Sequence, residues 1–184
     1  MRILGISGSL RAGSHNTALL RAAGELLPAG VELELFQELE AVPPYNQDRD
    51  HDAPPAAAAR LREAIAAADV VLFATPEYNG SIPGVLKNAI DWASRPAREG
   101  ALWGKTAGVI GASTGAYGAL WAQAELRKAL GVAGARVLGS DLPVARAHEA
   151  FDDAGRLLDA TVGGRLERHL AALVELAQPA PIAA

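Results

Sequence analysis

Gly8-Ser9-Leu10-Arg11-Ala12-Gly13-Ser14-His15-Asn16-Thr17 puts three hydroxyls and an arginine into a glycine-broken stretch that opens a helical pattern. Main-chain N–H groups at a helix start, flanked by the hydroxyls of Ser9, Ser14 and Thr17, make a cradle for an anion. A phosphomonoester carries about −1.5 to −2 charges at neutral pH, and Arg11 supplies the counter-charge. The spacing matches neither G-x-x-x-x-G-K-[ST] nor G-x-G-x-x-G, so a P-loop and a dinucleotide turn are both excluded. A plainer reading is an ordinary strand-to-helix loop capped by Asn16.

Two further segments carry chemistry. Thr75-Pro76-Glu77-Tyr78-Asn79-Gly80-Ser81-Ile82-Pro83-Gly84 holds two prolines and two glycines, which fix an irregular path whose backbone could meet a planar polar ring. Tyr78 could flank that ring. Gly111-Ala112-Ser113-Thr114-Gly115-Ala116-Tyr117-Gly118 contains G-x-S-x-G between a strand and a helix, the pattern of a hydrolase nucleophile elbow. Asp141, then His148 or His169, follow in the chain order of a triad, so a serine hydrolase is a competing reading. It has no HGGG-type oxyanion segment, and it leaves the other two segments unexplained. His169 also shares a helical stripe with Leu166, Leu170 and Leu173, where a packed imidazole is the simpler expectation.

Other constellations are weaker. Asp48, Asp50, His51 and Asp52 could approach a metal, but a solvated acidic loop accounts for them and H-E-x-x-H is absent, so no metal site is expected. Trp92, Trp103 and Trp121 are expected in packing or subunit contacts. The chain has no cysteine, which removes disulfides, thiolate ligands and thiol nucleophiles. A net charge of −4 speaks against a nucleic-acid or anionic-membrane partner. Fourteen Arg against three Lys reads as genome composition rather than function. No apolar run nears the roughly 18 residues that cross a bilayer. The first apolar stretch is too short for a secretory signal, so a cytoplasmic protein is expected.

The elements that must position these segments follow from two alternating periods. Short apolar runs at Ile3–Ile6, Val70–Ala74, Ala107–Gly111 and Ala135–Leu138 read as strands, with Val31, Leu33 and Leu35 alternating in another. Helical stripes separate them: Leu19, Leu20, Ala23, Leu26 and Leu27; Ala56–Ala68; Val85 to Ala93; Leu120–Leu130; and Leu166 to Ala177. Residues 37–55 read as a long loop. This alternation predicts an α/β fold, a parallel sheet of five strands with helices on both faces. Strands one, three and four are continuously apolar and belong inside. Strand two alternates and strand five carries Arg136, so both belong at the edges. The order 2-1-3-4-5 satisfies this and is the flavodoxin-like three-layer sandwich. In such sheets ligands bind beyond the carboxyl ends of the strands, where the three segments fall. One domain over residues 1–177 and a loose tail over 178–184 are expected.

At these segments the sequence resembles the NADPH-dependent FMN reductase family, which includes quinone, azo and chromate reductases. Gly8 to Arg11 and Gly13 to Thr17 carry the likeness, as does the longer block Thr75-Pro76-Glu77-Tyr78-Asn79-Gly80-Ser81-Ile82-Pro83-Gly84-Val85-Leu86-Lys87-Asn88-Ala89-Ile90-Asp91-Trp92. The resemblance implies FMN, its phosphate held by Ser9, Arg11, Ser14, Asn16 and Thr17, with His15 also among the cofactor-binding residues. It implies that Pro76, Glu77, Tyr78, Asn79 and Gly80 border the isoalloxazine, that Ser113 and Gly115 close the other side, and that Ser81 is also cofactor-binding. It implies hydride passage from NADPH or NADH through FMN to a quinone, azo compound, metal oxyanion or free flavin, with no protein residue acting as catalytic acid or base. It also implies a homodimer or homotetramer. A non-enzymatic electron carrier of the flavodoxin kind fits less well, because such carriers lack an arginine like Arg11 in their phosphate loop. Where many relatives carry Gly-x-Arg after the third segment, this chain has Ala119-Leu120-Trp121.

Overall fold

The apolar run after Met1 forms β1 (Arg2–Ser7) in the computed structural model, which describes residues 1–178. The chain continues through α1 (His15–Glu25), β2 (Glu32–Leu35), α2 (Ala56–Ala67), β3 (Val70–Thr75), α3 (Gly84–Ala93), β4 (Thr106–Ala112) and α4 (Leu120–Val132). It closes with β5 (Arg136–Val137), β6 (Pro143–Val144), α5 (Ala147–Ala150) and α6 (Ala160–Ala177). The strands pair in parallel in the order β2-β1-β3-β4-β5, the expected flavodoxin-like arrangement. β3 and β4 are buried at every position, as central strands covered by helices on both faces must be. β2, at the edge, shows its glutamates to solvent and half-buries Leu33 and Leu35.

Side-chain alternation divides the core between the two faces. Val71, Phe73 and Val109 pack with Leu61 and Ile65 of α2, Leu86 and Ile90 of α3, and Leu126 and Leu130 of α4. Val70, Leu72 and Ile110 pack with Leu19 and Leu20 of α1 and Leu166, Leu170 and Leu173 of α6.

Four features differ from the sequence expectation. The fifth strand is broken: β5 pairs with the start of β4, and β6 pairs with its end. The segment between leaves the sheet and is held by α4 instead. The buried Gln123 side chain accepts from the Leu142 N–H at 2.9 Å, and Arg127 donates to the Gly139 carbonyl at 2.9 Å. Pro143 has no N–H to offer a ladder, which suits the outermost position it takes. Residues 37–55 are not an open loop; they contain two short 3-10 turns, Leu39–Ala41 and Gln47–Arg49, with Leu39 and Val42 buried. α1 is capped by Ser14 rather than Asn16, and it ends at Glu25, so Leu26 and Leu27 lie past its last turn. The short α5 had no recognisable period. The expected tail, apart from Gln178, lies outside the described residues.

Trp92 takes the core alternative of its expected packing or subunit contact. It is fully buried, and its indole N–H donates to the Pro43 carbonyl at 2.8 Å. Asn88, one turn earlier on α3, donates to the same carbonyl at 2.9 Å and accepts from the Tyr45 N–H at 2.7 Å. This part of the long motif therefore anchors the 37–55 segment to the sheet. Asp50, a candidate metal ligand by sequence, is engaged by Arg62 at 2.7 and 2.9 Å.

Candidate functional site

The sheet register brings three strand ends to one edge. Ser7 of β1 pairs with Ala74 of β3, Thr75 with Gly111 of β4, and Ala112 with Val144 of β6. The segments that follow β1, β3 and β4 therefore leave the sheet side by side. They enclose a cleft of about 170 Å³ lined by Ser9, Arg11, Ser14, His15 and Asn16, by Pro76, Glu77 and Tyr78, and by Ala112, Ser113 and Thr114. Nine of the residues expected from sequence meet there: Ser9, Arg11, Ser14, His15, Asn16, Pro76, Glu77, Tyr78 and Ser113. Thr17, Asn79, Gly80, Ser81 and Gly115 do not line it. Ala112 and Thr114 line it without having been expected.

The first loop is shaped by hydroxyls. Thr17 Oγ1 donates to Ser7 Oγ at 2.9 Å, and the Ser9 N–H donates to the same oxygen at 3.3 Å. Ser14 Oγ accepts from the Thr17 N–H at 3.2 Å. Both donors of Thr17 are thereby engaged, whereas the Ser14 hydroxyl proton stays free to donate. Asn16, almost fully buried, is bound through its side chain to the backbone of Ala112. The N–H groups of His15 and Asn16 have no acceptor among the described residues and stand at the positive end of α1. Arg11 forms no ion pair among the described residues. His15 stacks on Phe151 with ring centroids 5.9 Å apart. Its pKa is lowered, first by burial and then by the positive charges of Arg11 and His148. The cleft thus concentrates unpaired donors and the guanidinium of Arg11, the setting an anion needs.

The second segment is a tight hairpin rather than an irregular path. Tyr78 and Ser81 exchange hydrogen bonds of 3.0 and 3.1 Å. Asn79 and Gly80 between them have φ of 54° and 73°, the two positive values of a type I′ turn that Asn-Gly favours. The main-chain groups of Tyr78 and Ser81 are occupied, and the N–H groups of Glu77, Asn79 and Gly80 are left without an acceptor among the described residues. The Glu77 carboxylate accepts from the Ala122 N–H at 3.1 Å. That caps α4, whose own N-cap residue, Ala119, has no side chain able to do so.

No hydrolase triad is assembled. Ser113 Oγ accepts from the Gly115 N–H at 3.1 Å. Asp141 pairs with Arg127, whose Nη2 donates to Oδ2 at 3.1 Å. His148 lies beside Glu149, and the buried His169 meets Ser140 Oγ through Nδ1 at 3.3 Å. Each intended partner is engaged elsewhere.

Residues 1–149 match the NADPH-dependent FMN reductase family. The chain belongs to that family. An NAD(P)H-dependent FMN reductase of Pseudomonas aeruginosa is 47% identical over 174 residues, covering 94% of this chain and 93% of the relative. A quinone reductase of Pseudomonas putida is 41% identical over 164 residues, covering 85% and 84%. The solved structure of FerB, a flavoenzyme NAD(P)H:(acceptor) oxidoreductase from Paracoccus denitrificans, superposes with a TM-score of 0.84 at 36% identity over 96% of both chains. This FMN reductase family member is accordingly an NAD(P)H-dependent oxidoreductase. The free donors and the Arg11 guanidinium of its cleft fit the phosphate of FMN.

Proposed function

We propose that the cleft between the three loops holds FMN and serves electron transfer from NADPH or NADH to a small acceptor, with quinones foremost. The convergence of an unpaired arginine, free hydroxyls and free helix N–H groups at the sheet's switch point carries this reading. Arg11, the hydroxyls of Ser9 and Ser14, and the N–H groups of His15 and Asn16 would hold the phosphate. The side chains of Asn16 and Thr17 keep that loop in shape. Pro76, Glu77, Tyr78, Asn79, Gly80 and Ser81 would border the ring on one side, with Ser113 and Gly115 on the other. When bound, FMN supplies a ring that can take up two electrons and give them back. With a quinone the balance is NADPH, a proton and quinone converted to NADP⁺ and hydroquinone. The chain's residues bind and orient; none is assigned as a catalytic acid or base.

Titration of the apoprotein with FMN, FAD and riboflavin tests this reading. FMN should bind best, because the cradle matches a monoester phosphate. Failure to bind FMN would remove the proposal.

The proposal extends to one domain over residues 1–177, a cytoplasmic location and a homo-oligomer. A groove of about 750 Å³ between α3 and α4 supports self-association. It carries the exposed Trp103 and Val132 beside charges of both signs, among them Lys87, Asp91, Glu125 and Lys128. A self-complementary surface needs such a mixture. Light scattering should give at least a dimer at micromolar concentration.

A further inference from the structure

A second cavity lies behind the first loop. β1 has β3 on one side and β2 on the other, and the cleft described above opens on the β3 side. On the β2 side the same loop meets the turn that follows β2, and the two enclose about 220 Å³. Ser9 and Arg11 line both spaces. Arg21, Phe36, Gln37 and Glu40 line the second and not the first.

Helical spacing puts Arg21 there. It follows Thr17 by four residues on α1, so the two share a face one turn apart. Arg21 is exposed and joins no ion pair among the described residues, although Glu25 stands one turn further along the helix. The hydroxyls of Ser7 and Thr17, also in the lining, are engaged with each other. The charged donors that face the cavity are therefore the two guanidinium groups of Arg11 and Arg21. Glu40 is the single carboxylate of the lining, so the cavity is net positive. Phe36, half-buried, adds an aromatic wall.

A phosphate monoester beside a flat base is what such a lining accommodates. FMN has one phosphate, and the cleft across the loop accounts for it. The nicotinamide coenzymes carry an adenosine at the end remote from the ring that gives up hydride, and NADPH alone has a monoester on that ribose. That monoester brings about −1.5 to −2 charges, which two guanidinium groups can match. In nucleotide-binding α/β sheets the adenosine ribose is read by an acidic residue at its hydroxyls or by an arginine at its 2′-phosphate. We propose that the cavity between the first loop and the turn after β2 receives the adenosine end of NADPH, with Arg21 holding the 2′-phosphate and so favouring NADPH over NADH. The proposal rests on the FMN-reductase reading above. Arg11 closes the site from the loop, but because it also faces the cleft, Arg21 is the residue that isolates the second cavity.

The test uses the FMN-loaded full chain with Arg21→Ala and Arg21→Lys. Calorimetry gives the Kd of adenosine 2′,5′-bisphosphate and of 5′-AMP, with no turnover involved. KM is measured for NADPH and for NADH with 1,4-benzoquinone as acceptor, and FMN affinity is measured on each apoprotein. The wild type should bind the bisphosphate more tightly than AMP. Arg21→Ala should weaken the bisphosphate and raise the NADPH KM by about five- to twentyfold, near the lower end for a hydrogen bond to a charged group because Arg21 is exposed. AMP affinity, the NADH KM and FMN affinity should each stay within about twofold. Arg21→Lys, which keeps the charge and loses the planar fork, should recover part of the bisphosphate affinity. Equal KM shifts for the two coenzymes, or none, would overturn the site. So would a wild type that binds the bisphosphate no better than AMP, or an Arg21→Ala that weakens FMN alone, which would give the cavity to the flavin. Absence of FMN uptake by the wild type, or of quinone reduction with either coenzyme, would instead remove the reading beneath it.

Discussion

The side-chain amide of Asn16 binds both backbone polar groups of Ala112: Nδ2 donates to the carbonyl at 3.0 Å, and Oδ1 accepts from the N–H at 2.9 Å. The start of α1 is thereby locked to the end of β4, ninety-six residues away. The first loop and the third hold a common geometry because of this pair. Asn16→Ala should leave two buried backbone groups unpaired, each costing about 1–3 kcal/mol. We expect a loss of about 2–4 kcal/mol in urea denaturation of the apoprotein, with native-like helix content. A loss under about 0.5 kcal/mol would mean that water replaces the amide there.

Arg11 is the cation of the cleft and forms no ion pair among the described residues. Arg11→Ala should weaken FMN binding by about 1.5–3 kcal/mol, the range for a hydrogen bond to a charged group. Riboflavin, which lacks the phosphate, should bind wild type and variant alike. Equal losses for both ligands would place Arg11 at the ring rather than at the phosphate.

Ser113 Oγ accepts from the Gly115 N–H and is hydrogen-bonded to no imidazole among the described residues. A hydrogen bond from its hydroxyl to the ring would be worth about 0.5–1.5 kcal/mol. Ser113→Ala should keep NADPH-dependent quinone reduction within roughly tenfold at saturating FMN. Ester hydrolysis, assayed in parallel, should be absent from both proteins; an esterase lost with the hydroxyl would restore the nucleophile reading.

His169 is buried on α6, and burial pushes its pKa down to about 4. In the unfolded chain the imidazole has its ordinary pKa near 6.5, so the unfolded state binds the extra proton between those values. Stability from neutral His169 is therefore complete above about pH 6.5 and is lost as pH falls towards 4. The shift is equivalent to about 3 kcal/mol at most. Urea stabilities of wild type and His169→Gln at pH 7.5 and 4.5 isolate this from the carboxylates. The wild type should lose about 2–3 kcal/mol more than the variant over that interval. Parallel losses would assign the acid sensitivity to other groups.

The strand order was legible from texture alone, because burial on two faces demands continuous apolar residues and an edge does not. Val70–Ala74 and Glu32–Leu35 differ in that way, and the sheet places them accordingly. The cleft was legible too, since Gly, Pro, Ser and Thr gathered beyond three strand ends mark loops that the sheet must bring together. The roles of single side chains were less so. Asn16 read as a cap and Thr17 as an anion donor, yet both are engaged within the protein. Trp92, expected in packing or a subunit contact, is core, and its indole N–H holds the 37–55 segment.

Composition and period by themselves determined the class of fold, the strand order and the three loops that gather at one edge of the sheet. These follow from short-range rules: each residue's preference for a helix, a strand or a turn, and its tendency to leave water. Only the tertiary structure decided which donors remain free. A hydroxyl, an amide or a carboxylate can bind a ligand or bind the backbone, and the choice depends on neighbours distant in sequence. Ala112 occupies Asn16, Ala122 occupies Glu77, and Arg127 occupies Asp141. Among the described residues Arg11 and the first N–H groups of α1 have no such neighbour, and they remain open in the cleft.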